Sequence, residues 1–319
     1  MRKIGILTSG GDAPGMNAAI RATTRIALQS GFEVYGIYDG YYGLVNNDIA
    51  PLTSLDVAGI IYRGGTVLRT ARLPEFIESK VQEKAAENLK RLGIDTIVVI
   101  GGDGSFRGAK DLSRWGINCI GIPGTIDNDL GYTDYTLGFD TAVNTVLSAI
   151  NNIRDTMTSH GRISIIEVMG RNCGQIALYA AIAGGAEAAI IPERPFNVDE
   201  LADRIRYDST RGRKSDIIIL AEGVCKGEDL KKELNEHLGL TIKTTTLGHV
   251  QRGGTPTLND RILAARFSYR AIQLIKEGKT NRLVGVKGRD IVDYDIDVAL
   301  RMKKSINPEL YEIDEILSR

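Results

Sequence analysis

Residues 96–112 read TIVVIGGDGSFRGAKDL, and residues 120–129 read IGIPGTIDND. Each starts as a short β-branched apolar run, passes into glycine and ends in aspartate. The apolar character is continuous rather than alternating, which predicts strands buried on both faces, as in parallel sheets. Similar runs recur at KIGILT (3–8), EVYGIY (33–38), NCIGI (118–122), ISIIEV (163–168), AAIIP (188–192), DIIILA (216–221) and RLVGVK (282–287). Helical patterns lie between them. In residues 139–161, Val143, Val146, Leu147, Ile150, Ile153 and Met157 recur at helical spacing. Strand–helix alternation predicts right-handed crossovers and doubly wound α/β layers.

The chain of 319 residues is long enough for two medium domains or one large one. Hydrophobic residues make up 43% and charged residues 25%, so a sizeable core can be buried and disorder is not the default. Lys+Arg and Asp+Glu both number 40, a balance that argues against a coat for nucleic acid or for an anionic membrane. Cys119, Cys173 and Cys225 are far apart and odd in number, without a CxxC pair, which fits a reducing compartment rather than a disulfide framework or a zinc site. No stretch reads as a signal peptide or a membrane span, and a cytoplasmic protein is expected.

In open α/β sheets, ligands bind beyond the carboxyl ends of strands. TSGGDAPGMNAAI and GGDGSFRGA both follow a strand and open a helix. Glycine lets backbone N–H groups approach an anion, and the helix N-terminus adds favourable partial charge. Tight turns alone would account for either loop taken singly. No GxxxxGK[ST] is present, which excludes a Walker-type site. Gly102, Gly104 and Gly108 form GxGxxxG, a weak likeness to the dinucleotide fingerprint. Asp103 inside that loop would repel bare pyrophosphate, but makes sense if a divalent cation bridges it to phosphate oxygens. In PGTIDND, Asp127 and Asp129 stand two apart. If the segment is extended, both carboxylates share one face, where one pKa rises to suit a general base; an Asx-rich turn is the other reading, favoured for the segment taken alone and disfavoured beside a Mg²⁺-type loop. Arg72, Arg162, Arg171, His249 and Arg252 recur near glycines or strand ends. Arg21, Arg25, Arg154, Arg211, Arg213 and Lys214 form a second basic set, which physics alone reads as surface charge. The three histidines lack metal-ligand spacing.

LTSGGDAPGMNAAIR, RGGTVLRTAR, VVIGGDGSFRGA, GIPGTIDND, GFDTAVNT, EVMGRNCG, LAEGV and GHVQRGGTPT run nearly end to end along the chain. Together they resemble the bacterial ATP-dependent 6-phosphofructokinase family. The resemblance implies two doubly wound, Rossmann-like three-layer α/β/α domains with mostly parallel sheets. A large ATP-binding domain would comprise residues 1–138 plus 251–301, and a small sugar-phosphate-binding domain residues 139–250 plus 302–319. The implied reaction transfers phosphoryl from Mg-ATP to the 1-hydroxyl of fructose 6-phosphate, the committed step of glycolysis.

Carried onto this sequence, ATP would meet Gly11, Arg72, Leu73, Gly102, Asp103, Gly104, Ser105 and Gly108, with Asp103 holding Mg²⁺. Asp127 would be the general base, Thr125 and Asp129 would position the reacting groups, and Arg171 would stabilise the transferring charge. Fructose 6-phosphate would meet Thr125, Asp127, Met169, Gly170, Arg171, Glu222, His249 and Arg252, with Arg162 and Lys243 reaching in from a neighbouring subunit of a homotetramer. The resemblance also gives the second basic set a purpose. Arg21, Arg25, Arg154, Gly185, Glu187, Arg211, Arg213, Lys214 and Ser215 match a site where ADP activates and phosphoenolpyruvate inhibits, with Glu187 as a Mg²⁺ contact.

Pyrophosphate-dependent members of the family typically carry Asp and Lys where this chain has Gly104 and Gly124, so ATP is the expected donor. Lys243 replaces the usual Arg, which keeps the charge but loses the bidentate fork. Leu73 replaces a frequent Cys, and Gly59 and Ser215 replace frequent acidic and His residues of the effector site. The rival readings are a pyrophosphate-dependent enzyme, a dinucleotide oxidoreductase and a non-catalytic sugar-phosphate sensor.

Overall fold

The computed structural model describes residues 2–212 and 215–318. In chain order the elements are β1 (Lys3–Thr8), α1 (Met16–Gln29), β2 (Glu33–Ile37), α2 (Gly40–Val45), β3 (Ile49–Pro51), α3 (Ser79–Leu92), β4 (Ile94–Gly101), α4 (Asp103–Ser113), β5 (Asn118–Pro123) and α5 (Phe139–His160). There follow β6 (Ile163–Val168), α6 (Gln175–Gly184), β7 (Ala188–Ile190), α7 (Val198–Thr210), β8 (Asp216–Ala221), α8 (Gly227–Leu238) and β9 (Ile242–Thr246). The last are α9 (Leu258–Lys276), β10 (Arg282–Lys287), β11 (Asp290–Asp295), α10 (Ile296–Ala299) and α11 (Pro308–Leu317).

Two compact units result. Met1–Ile126, Leu130–Thr141 and Arg252–Lys304 form the first; Asp127–Asp129, Ala142–Gln251 and Ser305–Arg319 form the second. The first is built on a seven-stranded sheet of order β11-β10-β5-β4-β1-β2-β3. Its inner strands run parallel, and the edge strands β3 and β11 are antiparallel to their neighbours. The second holds a fully parallel four-stranded sheet, β7-β8-β6-β9. The fold is the expected α/β class with mostly parallel sheets.

The central strands behave as their composition dictates. Every residue of β6 and β8 is buried, and β4 exposes only Asp95. The helices cover the sheets through apolar stripes. In α3, Gln82, Ala85, Ala86 and Leu89 are buried at helical spacing, and Gly93 ends the helix in the left-handed region at φ 73°. Three strands lie outside the sequence-predicted set: β3, β9 and β11. β9 is IKTTT and β11 is DIVDYD, too polar to show as apolar runs. Each is instead fixed by a partner strand, β9 by β6 and β11 by β10. Among the described residues, no helix is long and apolar enough to cross a membrane.

Candidate active site

In the first unit, β1 and β4 are neighbours, yet the chain builds away from them in opposite directions. β2 and β3 lie beyond β1, and β5 and β10 beyond β4. This is a topological switch point, and both glycine loops emerge there. The Ser9 N–H, just past β1, donates to the Ile100 carbonyl of β4 at 3.1 Å. The Gly124 N–H, just past β5, donates to the Gly101 carbonyl at 2.9 Å.

In the loop after β4, a Cβ on Gly101 would lie 2.5 Å from Ser105 Oγ and 2.6 Å from the Ser9 carbonyl, so glycine is required for the two loops to meet. Gly102 precedes α4 in extended conformation, and its lack of a side chain leaves the first N–H groups of α4 without a side-chain cap. Such a helix start can receive phosphate. Gly104, in that first turn, has open space where a Cβ would be. Ser105 is buried, and its carbonyl accepts from the Tyr41 hydroxyl at 2.6 Å. Gly108 is packed against the Tyr41 ring, where a Cβ would come within 2.8 Å. The Asp103 carboxylate takes two bonds from Arg107 one turn on, at 2.7 and 3.3 Å. Thr125 follows β5, its Cβ standing 3.6 Å from where a Gly102 Cβ would be.

The loop after β1 is covered by a strap, residues 63–72. Its far end is fastened by Thr8, whose hydroxyl donates to the Arg69 carbonyl at 2.8 Å, and by Thr70, whose hydroxyl donates to the Gly10 carbonyl at 2.7 Å. Arg72 is exposed and Leu73 half-buried at the end of the strap. Arg252 enters from the other end of the unit's chain. Its guanidinium fills the place a Gly11 side chain would need, and its Nη1 donates to the Asp12 carbonyl at 3.3 Å.

In the second unit, the loops after β6 and β9 again meet at a switch point. Gln251 is fully buried; its Oε1 accepts from the Met169 N–H at 3.2 Å and its Nε2 donates to the Gly248 carbonyl at 3.0 Å. Gly170 stands at φ 136° with a hypothetical Cβ 2.5 Å from the Cys173 carbonyl, so this turn admits only glycine. A Cβ on Gly223 would collide with the Arg171 carbonyl, so Glu222–Gly223 packs directly against the Arg171 backbone. Arg171, Lys243 and His249 are exposed, and Met169, Arg162 and Glu222 half-buried.

Of the two readings of PGTIDND, the extended one, on which Asp127 and Asp129 share a face, is overturned in favour of the Asx-rich turn. The segment is a turn rather than a strand, with Asn128 in the left-handed region at φ 50°. The period-two argument applies only to extended backbone. Asp127 is half-buried and Asp129 exposed, so the two carboxylates occupy different surroundings.

The basic residues matched to an effector site divide between the units. Arg21 and Arg25 lie on α1 of the first, where Arg25 donates to the Ser54 carbonyl at 3.4 Å. In the second, Arg154 donates to the Gly184 and Gly185 carbonyls at 2.8 and 2.6 Å, and its Nη1 stands 3.7 Å from Glu187. The Glu187 carboxylate also accepts from the Ile217 N–H at 2.6 Å. Arg211 is exposed and donates to the Tyr207 hydroxyl at 3.0 Å; Ser215 is half-buried. Arg213 and Lys214 lie outside the described residues.

Sequence reasoning passed over many buried polar residues, among them Asn17, Glu167, Gln251 and Asp260. Glu167 in β6 accepts from the Gly227 N–H at 2.8 Å and from Lys226 at 3.4 Å. Asp260 accepts from the Gly138 and Thr141 N–H groups at 2.9 and 3.0 Å and from the Thr141 hydroxyl at 2.5 Å. Burial raises its pKa to about 6 against the pull of those bonds. For Glu167 the available signal was a charged side chain within the apolar run ISIIEV, which marks a buried hydrogen-bonding duty; Gln251 and Asp260 stand in polar stretches that carry no such signal.

Glycine-lined strand ends at the switch point of each unit, with a carboxylate in the first turn of α4, give an α/β protein whose loops have the form that can receive phosphate. A family profile described as Phosphofructokinase matches residues 3–275. The chain belongs to the phosphofructokinase family, a family of kinases. It is 56% identical over 319 residues, the whole of both chains, to the ATP-dependent 6-phosphofructokinase of Clostridium botulinum strain Loch Maree. It is 54% identical, again over both whole chains, to ATP-dependent 6-phosphofructokinase 1 of Clostridium perfringens strain 13. Among solved structures, phosphofructokinase from Saccharomyces cerevisiae matches with a TM-score of 0.90 and 35% identity, over 100% of this chain and 48% of that one. This chain therefore spans about half the length of the yeast chain. A pyrophosphate-dependent phosphofructokinase from Marinobacter aquaeolei matches at 0.87 over 99% of this chain and 91% of its own, but at 20% identity that likeness speaks to fold alone.

Proposed function

We propose that this chain is an ATP-dependent 6-phosphofructokinase, transferring phosphoryl from ATP to the 1-hydroxyl of fructose 6-phosphate. The observation that carries the reading is identity above one half along the whole length of relatives named for that activity. The open space at Gly104 agrees with a nucleotide donor, since that is where a carboxylate would stand in the pyrophosphate-dependent pattern.

On this reading the first unit binds ATP through the Gly11 and 102–105 loops, with Arg72 and Leu73 beside it and Gly108 supporting the loop. The donor set fits magnesium. Among the described residues no three His, Cys, Asp or Glu side chains form a metal cage. Magnesium bound with nucleotide takes one or two carboxylates and completes its shell with phosphate oxygens and water. Asp103 supplies that carboxylate, and the ion, when bound, neutralises phosphate charge. Asp127 accepts the proton of the sugar hydroxyl, Thr125 and Asp129 orient the groups, and Arg171 stabilises developing charge. The sugar phosphate is held by residues 169–171, Glu222, His249 and Arg252, with Arg162 and Lys243 contributed by a neighbouring subunit of a homotetramer. Control by ADP and phosphoenolpyruvate through Arg21, Arg25, Arg154, Gly185, Glu187, Arg211, Arg213, Lys214 and Ser215, and a cytoplasmic location, belong to the same proposal.

The test is an initial-rate assay with magnesium and fructose 6-phosphate, offering ATP and pyrophosphate separately. Turnover with ATP, lost in Asp127→Asn, is expected. Turnover with pyrophosphate alone would overturn the donor assignment. Inactivity with both would bring back the sensor reading. A rate indifferent to ADP and phosphoenolpyruvate at low sugar phosphate would remove the effector site.

A further inference from the structure

The repeated RGGT motifs, residues 63–66 and 252–255, are brought together within the first unit. A Cβ on Gly64 would lie 2.5 Å from the Gly254 carbonyl oxygen and 3.2 Å from its nitrogen, so the two backbones are in direct contact. Gly254 stands at φ 97°, two residues after Arg252. Asn17 holds the partner side of this contact. It is 1% exposed, on the first turn of α1. Its Nδ2 donates to the Arg63 and Gly64 carbonyls at 3.1 and 3.0 Å, and its Oδ1 accepts from the Val67 N–H at 2.7 Å. Every polar atom of the amide is thus committed to the near end of the strap.

We propose that Asn17 is a positioning residue for the sugar phosphate. It sets residues 63–64 against Gly254 and so fixes where Arg252 presents its guanidinium. The inference rests on the assignment of Arg252 to fructose 6-phosphate made above. Asn17 serves only the near end of the strap. The far end, which leads to Arg72 and the nucleotide side, has its own fastening in Thr70, while Thr8 is bonded to both Thr66 and Arg69. The two ends therefore carry different kinetic signatures.

Asn17→Asp keeps the acceptor for Val67 but turns an oxygen against two carbonyls, breaking the fastening with little change of shape. Gly64→Ala disturbs the same contact from the other side and leaves Asn17 intact. Both are expected to raise KM for fructose 6-phosphate about tenfold or more while KM for ATP moves less than about twofold. Their combination is expected to be less than additive, because one contact is lost twice. Thr70→Val is expected to show the reverse split. Hydrogen exchange at residues 252–255 supplies a readout independent of turnover, and protection there falls in both near-end variants. Stability loss with both KM values and the 252–255 exchange unchanged would show Asn17 to be merely structural and overturn the proposal. An inactive parent chain would instead overturn the functional reading, and the proposal with it.

Discussion

At Gly104 the backbone faces open space, whereas at Gly124 a Cβ would come within 3.2 Å of Ile100 Cγ2 and 3.3 Å of Met16 Cε. The two glycines that separate the donor patterns thus have different physical freedoms. Gly104→Asp is expected to keep its urea midpoint and to lose ATP turnover by about 100-fold or more, because a carboxylate then opposes the phosphates. Gly124→Lys is expected to lower stability by about 1–3 kcal/mol, since Ile100 and Met16 must give way. A normal ATP rate in Gly104→Asp would remove that position from donor choice. Lys243→Arg is expected to lower KM for fructose 6-phosphate about threefold through bidentate pairing, and an unchanged KM would make the lysine an equal substitute. At this scale the glycines were legible in the sequence, because strand-to-helix turns that admit only glycine leave a local signature. The surroundings of Asp127 were legible only in part: the Asx-rich composition of IDND allows the turn that Asn128 makes, but the role of the base rests on resemblance rather than spacing.

The helices depend on buried carboxyls that their own sequences do not reveal. Asp260 lies in the first turn of α9, where its N–H donates to Thr257 at 3.3 Å, while its carboxyl serves the start of α5. Burial lifts its pKa from the ordinary 3.8 to about 6, so the folded chain holds this proton more tightly than the unfolded one. Its contribution to stability is fully present below about pH 4 and is lost as pH rises through about 6. Asp260→Asn presents an NH₂ to groups that already donate, and is expected to lose about 1–3 kcal/mol near pH 5. In urea unfolding the gap between parent and variant is expected to narrow from about pH 4 to about pH 6. A constant gap would show that Asp260 does not titrate in that window. Asp314 on α11 is also raised by burial to about 6 and acts with the same sign, so the Asp260→Asn variant retains a slope of its own. Long buried strands and α5 were legible from periodicity. Edge strands β3 and β11 were not, because their position is set by a neighbour's hydrogen bonds rather than by their own apolar content.

Over the whole molecule the chain passes repeatedly between its two units, and neither is a continuous segment. The second unit is closed by Ser305–Arg319, including α11 against α6. A chain ending at Lys304 is expected to expose the α6 face and bind a hydrophobic dye; tight packing without dye binding would show α11 to be dispensable. Strand–helix alternation gave the layered class, but no helical or strand periodicity connects residues 252–304 to residues 1–126, so their membership of one unit is not read from local pattern.

The late arrival of β10 has a consequence during synthesis. In the finished sheet β5 is covered by β10, yet residues 118–123 leave the ribosome long before residues 282–287. All four strands of the second sheet, β6 to β9, are made in that interval. A nascent chain therefore carries the first sheet with β5 as an open edge, and an open apolar edge is where strands of other chains add. Translation past residue 287 is the event that closes it, which makes a chain stalled between β9 and β10 the form of this protein most prone to aggregate.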